Sequence, residues 1–189
     1  MSEVSICNRA LALLGSQPIT SLTEDTEAAR RLNIFYDDTR KELLRIHPWN
    51  FAINRDTLAQ LATAPEYEYT YYYALPSDYL RMLTVSDGTN QLTDWKIENN
   101  KLAIDSTTVV IRYVKDETDT SKFDEGFKAA LSYRLAADAC FALTGKADLA
   151  QELFGLAEEK LRVARSLDAQ DSGAVEEVDK DVWTQEMRY

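Results

Sequence analysis

The chain has 189 residues, 45% of them hydrophobic, which suits one compact domain or one domain with an insertion and allows a real core. Its 32 acidic and 21 basic residues leave a net charge of −11, which argues against a grip on nucleic acid, since such grips cluster Lys and Arg against phosphates. No apolar run approaches a membrane span, and Glu3 and Asn8 interrupt any leader-like segment, so folding in a cytoplasm is expected, with Cys7 and Cys140 as separate buried thiols.

The first predicted element is a helix from Ser2 to Leu14 with Val4, Cys7, Leu11 and Leu14 on one face. Gly15 offers a C-terminal stop and Pro18 prevents resumption. Thr23 and Thr26, followed by Glu27, offer the N-cap of a second helix running to Ile46. Its inward residues are expected to be Ala28, Leu32, Phe35, Thr39, Leu43 and Ile46. Arg30, Asp37, Asp38, Arg40, Lys41 and Glu42 are assigned to a solvated or subunit-facing surface. Pro48 disfavours helix at His47 and ends the run.

From Trp49 to about Lys115 the pattern is β-like. Trp49, Phe51, Ile53 and Arg55 alternate as one strand would, which predicts Trp49 and Phe51 on a common strand face. Residues 59–66 read as a loop. Tyr69, Tyr71, Tyr73 and Leu75 form one face of a strand, with Thr70, Tyr72 and Ala74 on the other. Met82–Val85 leads to a turn at Asp87–Gly88, and Asn99–Asn100 is a hairpin connection between 95–98 and 102–104. Val109–Val114, rich in β-branched residues, is the strongest strand.

Helix returns at about Asp124, with Phe127, Leu131, Leu135 and Ala139 as its inner seam and Gly145 as its stop. A last helix spans about Ala147 to Leu167 on a stripe of Leu149, Leu153, Leu156, Leu161, Ala164 and Leu167. Two amphipathic helices before the β-rich stretch and two after it read as a bundle. Beyond Leu167, seven acidic residues from Asp168 to Glu186 face only Lys180 and Arg188. That charge opposes self-collapse, while Val178, Val182, Trp183, Met187 and Tyr189 remain as apolar anchors for folding on a partner.

Candidate chemistry is thin. His47 is the sole histidine, and beside Pro48 at a helix end its imidazole is expected to bond the last carbonyls. Six glycines form no phosphate-cradling loop, and the two cysteines lack a metal-ligand pattern. The pairs Glu24–Asp25, Asp37–Asp38 and Glu158–Glu159 have the residue types for glycoside cleavage, but on an acidic chain they read first as solvated faces. The tyrosines at 67, 69, 71, 72 and 73 suit a protein interface, sheet packing or stacking on a ligand. No catalytic, cofactor or metal residues are assigned.

Several segments together carry a family likeness. They are Cys7–Ala10, Leu14–Ile19, Glu27–Arg30, then His47-Pro48-Trp49-Asn50-Phe51-Ala52, then Leu75-Pro76-Ser77-Asp78-Tyr79-Leu80-Arg81, and finally Ala136–Asp138. In this order and spacing the chain resembles the tail adaptor (tail tubular protein A) family of short-tailed bacteriophages. The resemblance implies a non-enzymatic virion protein, assembled in the host cytoplasm, that forms a dodecameric ring between portal and tail nozzle. It lines the DNA channel without specific DNA binding, has tail fibres as a further possible neighbour, and needs no cofactor or membrane. Trp49, Phe51, Pro76, Asp78 and Tyr79 match motifs with an architectural role.

The expected fold is α+β. A discontinuous four-helix bundle (1–48 and 122–168) carries an inserted β-rich domain (49–121) and an extended acidic C-terminal arm (169–189). Val182, Trp183, Met187 and Tyr189 are the expected contacts to the portal or a neighbouring subunit. The alternatives are a virion-associated muramidase, and a cytoplasmic interaction module without a viral role.

Overall fold

The computed structural model describes residues 2–171, so Val182, Trp183, Met187 and Tyr189 lie outside the described residues. The fold is mixed helix and sheet: α1 (Glu3–Leu13), α2 (Glu27–Ile46), β1 (Ile53–Thr57), β2 (Tyr71–Ala74), β3 (Tyr79–Ser86), β4 (Gln91–Leu92), β5 (Lys96–Glu98), β6 (Lys101–Ile104), β7 (Val110–Lys115), α3 (Glu125–Thr144) and α4 (Ala147–Gln170). Two antiparallel sheets form, ordered β1-β7-β3-β4 and β2-β6-β5.

Local chemistry sets most boundaries. Ser2, Thr26 and Asp124 cap the N-termini of α1, α2 and α3 by accepting hydrogen bonds from backbone N–H groups in the first turns. Gly15 and Gly145 take left-handed φ values of +67° and +71° just past α1 and α3, where a side chain would be strained. Asn99 and Asn100, at φ +47° and +61°, turn β5 into β6. Two successive left-handed residues match the twist of a tight hairpin, and asparagine tolerates them best after glycine.

The α3 helix is central. Phe127, Leu131, Leu135 and Ala139 are buried as expected, but so are Ala130, Ala136, Ala137 and Cys140, which cover its other faces. A helix that is apolar all round is one surrounded by neighbours, and α1, α2 and α4 each pack against it. Along α4 the return is antiparallel. Gly126 sits so near Ala164 that a Cβ added there would lie 2.9 Å from the Ala164 Cβ.

The inner faces of α2 and α4 are rotated from the expected ones. The buried α2 residues are Ala29, Leu32, Tyr36, Thr39, Arg40, Leu43 and Leu44, while Ile46 is exposed and Ala28 and Phe35 are half-buried. Arg40, assigned from its charge to the solvated face, is only 2% exposed. On α4 the buried line is Leu153, Ala157, Leu161, Ala164 and Asp168, and Leu156 and Leu167 are exposed. Leu153, Leu161 and Ala164 are buried as expected, but Ala157 was not on the expected stripe, and Leu156 and Leu167 were misleading markers of the inner face. Asp168, counted with the acidic arm, belongs to a buried line of α4, which runs on to Gln170.

The two sheets enclose a core of Tyr73, Leu102 and Ile104 from one and Val85, Ile111 and Tyr113 from the other. The residues of β7 alternate, so its Val114 faces the helices instead. β3 serves both sides by another device. Its pairing with β7 skips Leu80 and Leu83, one extra residue at each of two bulges. Tyr79, Met82 and Val85 therefore face the sheet core, while Leu80 and Leu83 pack with the helices.

Trp49 and Phe51 do not lie on a strand. Trp49 precedes a 3₁₀ turn, Asn50–Ala52, which hands over to β1 at Ile53. Their rings stack, with centroids 6.0 Å apart, because a tight turn brings i and i+2 to one side as readily as a pleat does.

Two outcomes are expected. Gly126→Ala should lower stability by about 1–3 kcal/mol, because the added methyl overpacks the α3–α4 contact. A urea midpoint equal to or above the parent's would mean that the helices are not in close contact. Trp49→Ala should cost about 3–5 kcal/mol, and a thermal melt unchanged within roughly two degrees would contradict its burial.

Candidate functional site

The segments singled out in the sequence meet where the helices adjoin the sheets. At the end of α2, His47 is extended (φ −131°, ψ 144°), as the following proline demands. The last carbonyls of α2 are satisfied, but not by His47. Trp49 Nε1 donates to Leu43 O at 2.9 Å, and Arg81 Nη1 on β3 donates to Ile46 O at 3.2 Å. In the opposite direction, Arg45 on α2 donates to the Leu80 carbonyl. Helix and strand thus each supply an arginine to the other's backbone.

His47 turns instead toward α4. Its Nε2 lies 3.0 Å from Asp168 Oδ2, while the Asn50 backbone N–H donates to Asp168 Oδ1 at 3.0 Å. Asn50 Nδ2 also donates to the Asp168 carbonyl at 2.7 Å. The carboxylate, 7% exposed, is held by the turn that follows Pro48. Trp49 and Phe51 then carry this junction into the helical core through Phe123 and Phe127, with ring centroids 5.0–5.4 Å apart across the cluster.

Pro76, Asp78 and Tyr79 shape the second segment. The Tyr79 N–H donates to Pro76 O at 3.1 Å and closes a turn. Asp78 Oδ1 accepts from Tyr113 Oη at 2.9 Å, and Tyr79 Oη accepts from the Met82 N–H at 2.9 Å across the first bulge. The two motif groups, Trp49 with Phe51 and Pro76 with Asp78 and Tyr79, are not in direct ring contact. They are joined through the arginines and through Leu80.

Beside them is a buried charge network. Arg40 bonds Asp116, donates to Glu117 O at 2.8 Å and reaches Asp37 at 3.2 Å. Burial works against its cation, but Asp116 and Asp37 outweigh that and hold its pKa above the ordinary value. Burial also disfavours the Glu117 carboxylate. Lys115, the Asp119 N–H and Lys122 more than compensate, so its pKa is depressed. A third hub, Arg134, reaches Glu42 at 3.2 Å, Asp138 at 3.4 Å and Glu158 at 3.7 Å, linking α2, α3 and α4.

At least one member of each acid pair considered for glycoside cleavage is engaged in a polar contact. Glu24 accepts from Thr20, Asp25 pairs with Arg30, Asp37 with Arg40 and Glu158 with Arg134. Burial pushes the Cys7 thiol up to about 12, so it carries no thiolate nucleophile near neutral pH. The tyrosines divide: Tyr73 is buried in the sheet core, Tyr69 is largely covered with its Oη donating to Asp94 at 2.9 Å, and Tyr67 is 80% exposed. Among the described residues no helix is long and apolar enough to cross a membrane.

Sequence reasoning missed Arg40, Arg45, Arg81, Arg134 and Asp168. For Arg40 and Arg134, charge on an amphipathic helix carries no sign of burial, and only Asp168, four residues beyond Ala164 on the inner line, had a positional signal. Arg45 and Arg81 bond carbonyls that are distant in sequence. Exposed apolar side chains also mark α4: Leu156, Val163 and Leu167 follow one another at i, i+7 and i+11, along one side of the helix.

Glu117 sets a pH dependence. Its folded pKa lies below the unfolded one, so its stabilisation is complete above the unfolded carboxylate pKa and fades as pH falls through the folded value. The stability gap between the parent and Glu117→Gln should therefore hold from about pH 7 to 5 and shrink below roughly pH 4. Urea melts across that range check it, and a gap that widens in acid would refute the assignment. Arg40→Met should cost about 3–5 kcal/mol by leaving Asp116 beside the core without its partner.

Compared with protein-family models and with curated proteins, the chain matches none, and its functional reading rests on the residues described above.

Proposed function

We propose that this chain is a structural head-to-tail adaptor of a short-tailed bacteriophage, a ring subunit seated between portal and tail nozzle and lining the channel through which DNA passes. The observation that carries the reading is the junction. The two segments with the strongest resemblance, His47–Ala52 and Leu75–Arg81, converge there, and their side chains do mechanical work: capping α2, gripping Asp168 and clasping β3.

On this reading the helices form a discontinuous bundle body (1–48 and 122–168), the sheets an inserted domain (49–121), and residues 169–189 an arm. The protein acts by matching surfaces rather than by catalysis. It takes its place in the virion after assembly in the host cytoplasm, seals the packaged head and guides DNA during ejection. An acidic surface, with net charge −11, suits a conduit over which DNA slides without sticking. The stripe of Leu156, Val163 and Leu167, apolar and exposed along α4, supports docking. The portal or a neighbouring subunit is the intended receiver of Val182, Trp183, Met187 and Tyr189.

Electron microscopy of the protein mixed with its portal should show twelve-fold rings seated on the portal. Light scattering of the protein alone should give a monomer, because rings formed early would compete with ordered assembly; stable rings without portal would refute that order. Removing residues 172–189 keeps Asp168 in place, so the melt should be unchanged while portal binding falls sharply. Parental portal affinity in the truncated protein would remove the arm from the docking role.

A further inference from the structure

A concave site rich in tyrosine and glutamate lies outside the junction. Between the loop 63–69 and the β5–β6 hairpin lies a pocket of about 350 Å³, walled by Tyr67, Tyr69 and Tyr72 and rimmed by Glu66, Glu68 and Glu98. Lys101 lines the pocket and Lys96 stands beside it, and both are partly committed. Lys96 lies 2.6 Å from Glu68 and 5.9 Å from the Tyr69 ring centre, while Lys101 lies 5.1 Å from that of Tyr72. Glu66 and Glu98 form no ion pair among the described residues, and Glu98 takes only a long 3.4 Å hydrogen bond from Tyr72 Oη. Glu68 holds a left-handed φ of +74°, unusual for a residue with a side chain.

We propose that this pocket receives an arginine side chain from an extended segment of a protein partner. The aromatic faces attract a cation, and desolvation in a pocket strengthens that attraction. Two carboxylates without ion pairs flank the rings, and a planar guanidinium can stack on tyrosine while its N–H groups fork toward carboxylates; an ammonium can do only part of this. Tyr67, 80% exposed beside these groups, has the form of an interface anchor that becomes covered on binding. The negative rim repels phosphate, which removes nucleobase stacking along a strand as the occupant. The proposal does not depend on the adaptor reading, because the recognition belongs to the pocket alone.

The test uses the full chain and NMR of its tyrosine ring signals, titrated with the tripeptide acetyl-Gly-Arg-Gly-amide. A citrulline counterpart removes the charge but keeps the shape, and N-acetylchitotriose represents a sugar ligand. The arginine peptide should shift the Tyr67, Tyr69 and Tyr72 rings saturably, with a Kd on the order of millimolar for so small a probe. Combining Glu66→Gln with Glu98→Gln should weaken binding about tenfold, as should Tyr67→Ala. Those positions lie at the surface, so the melts should stay parental and separate lost binding from lost folding. Equal shifts with the citrulline peptide, saturable shifts with the sugar alone, or no saturable shift with any probe would each overturn the proposal.

Discussion

Strand β3 has to face two hydrophobic cores at once, and this constraint organises the molecule. A regular strand offers one side chain per face every two residues. Here the two bulges add Leu80 and Leu83 on the helical side without displacing Tyr79, Met82 and Val85 from the sheet side. Without those two residues, Val114 of β7 would be left as the main side chain of the sheet facing the helices. The bulges also account for a sequence rhythm of threes inside a strand, a pattern that resembles helix when read without its partner strand.

Around this seam the chain places arginines where a helix end, a strand and a connecting loop present carbonyl groups that lack partners. Arg45 and Arg81 cross between α2 and β3, and Arg40 reaches from α2 to the segment after β7. A guanidinium suits this role because it stays charged and spreads several donors over a plane. Three such contacts tie the layers by hydrogen bonds of defined direction, which fixes their relative orientation more narrowly than apolar contact would. Trp49 adds the same kind of constraint from inside the core, since its indole N–H must reach Leu43 O while its ring packs on Phe127.

Much of the local structure was legible in the sequence. The helix ends at Gly15, Pro48 and Gly145, the Asn99–Asn100 hairpin and the strand near Val110 each depend on backbone preferences that one or two residues express. The inner faces of α2 and α4 were harder to read. Leu153, Leu161 and Ala164 were placed correctly, but alanines at 29 and 157 score weakly as apolar, and leucines at 156 and 167 draw attention to the wrong side. Arg40 and Asp168 were misplaced because charge predicts exposure unless a partner is known, and their partners are 76 and 118–121 residues away in the chain. The motifs drew attention to the segments that meet at the junction, while the charged side chains that fasten them carried no such signal.

The grip on Asp168 has a consequence for how force would travel. The carboxylate and carbonyl of one residue, three positions before the end of the described chain, are held by three hydrogen bonds to His47 and Asn50. Tension applied to the chain beyond α4 meets these bonds before it can peel the last turns of the helix from α3. Trp49, on the same turn, packs its ring on Phe127, so a pull at the end of α4 is carried into the central helix.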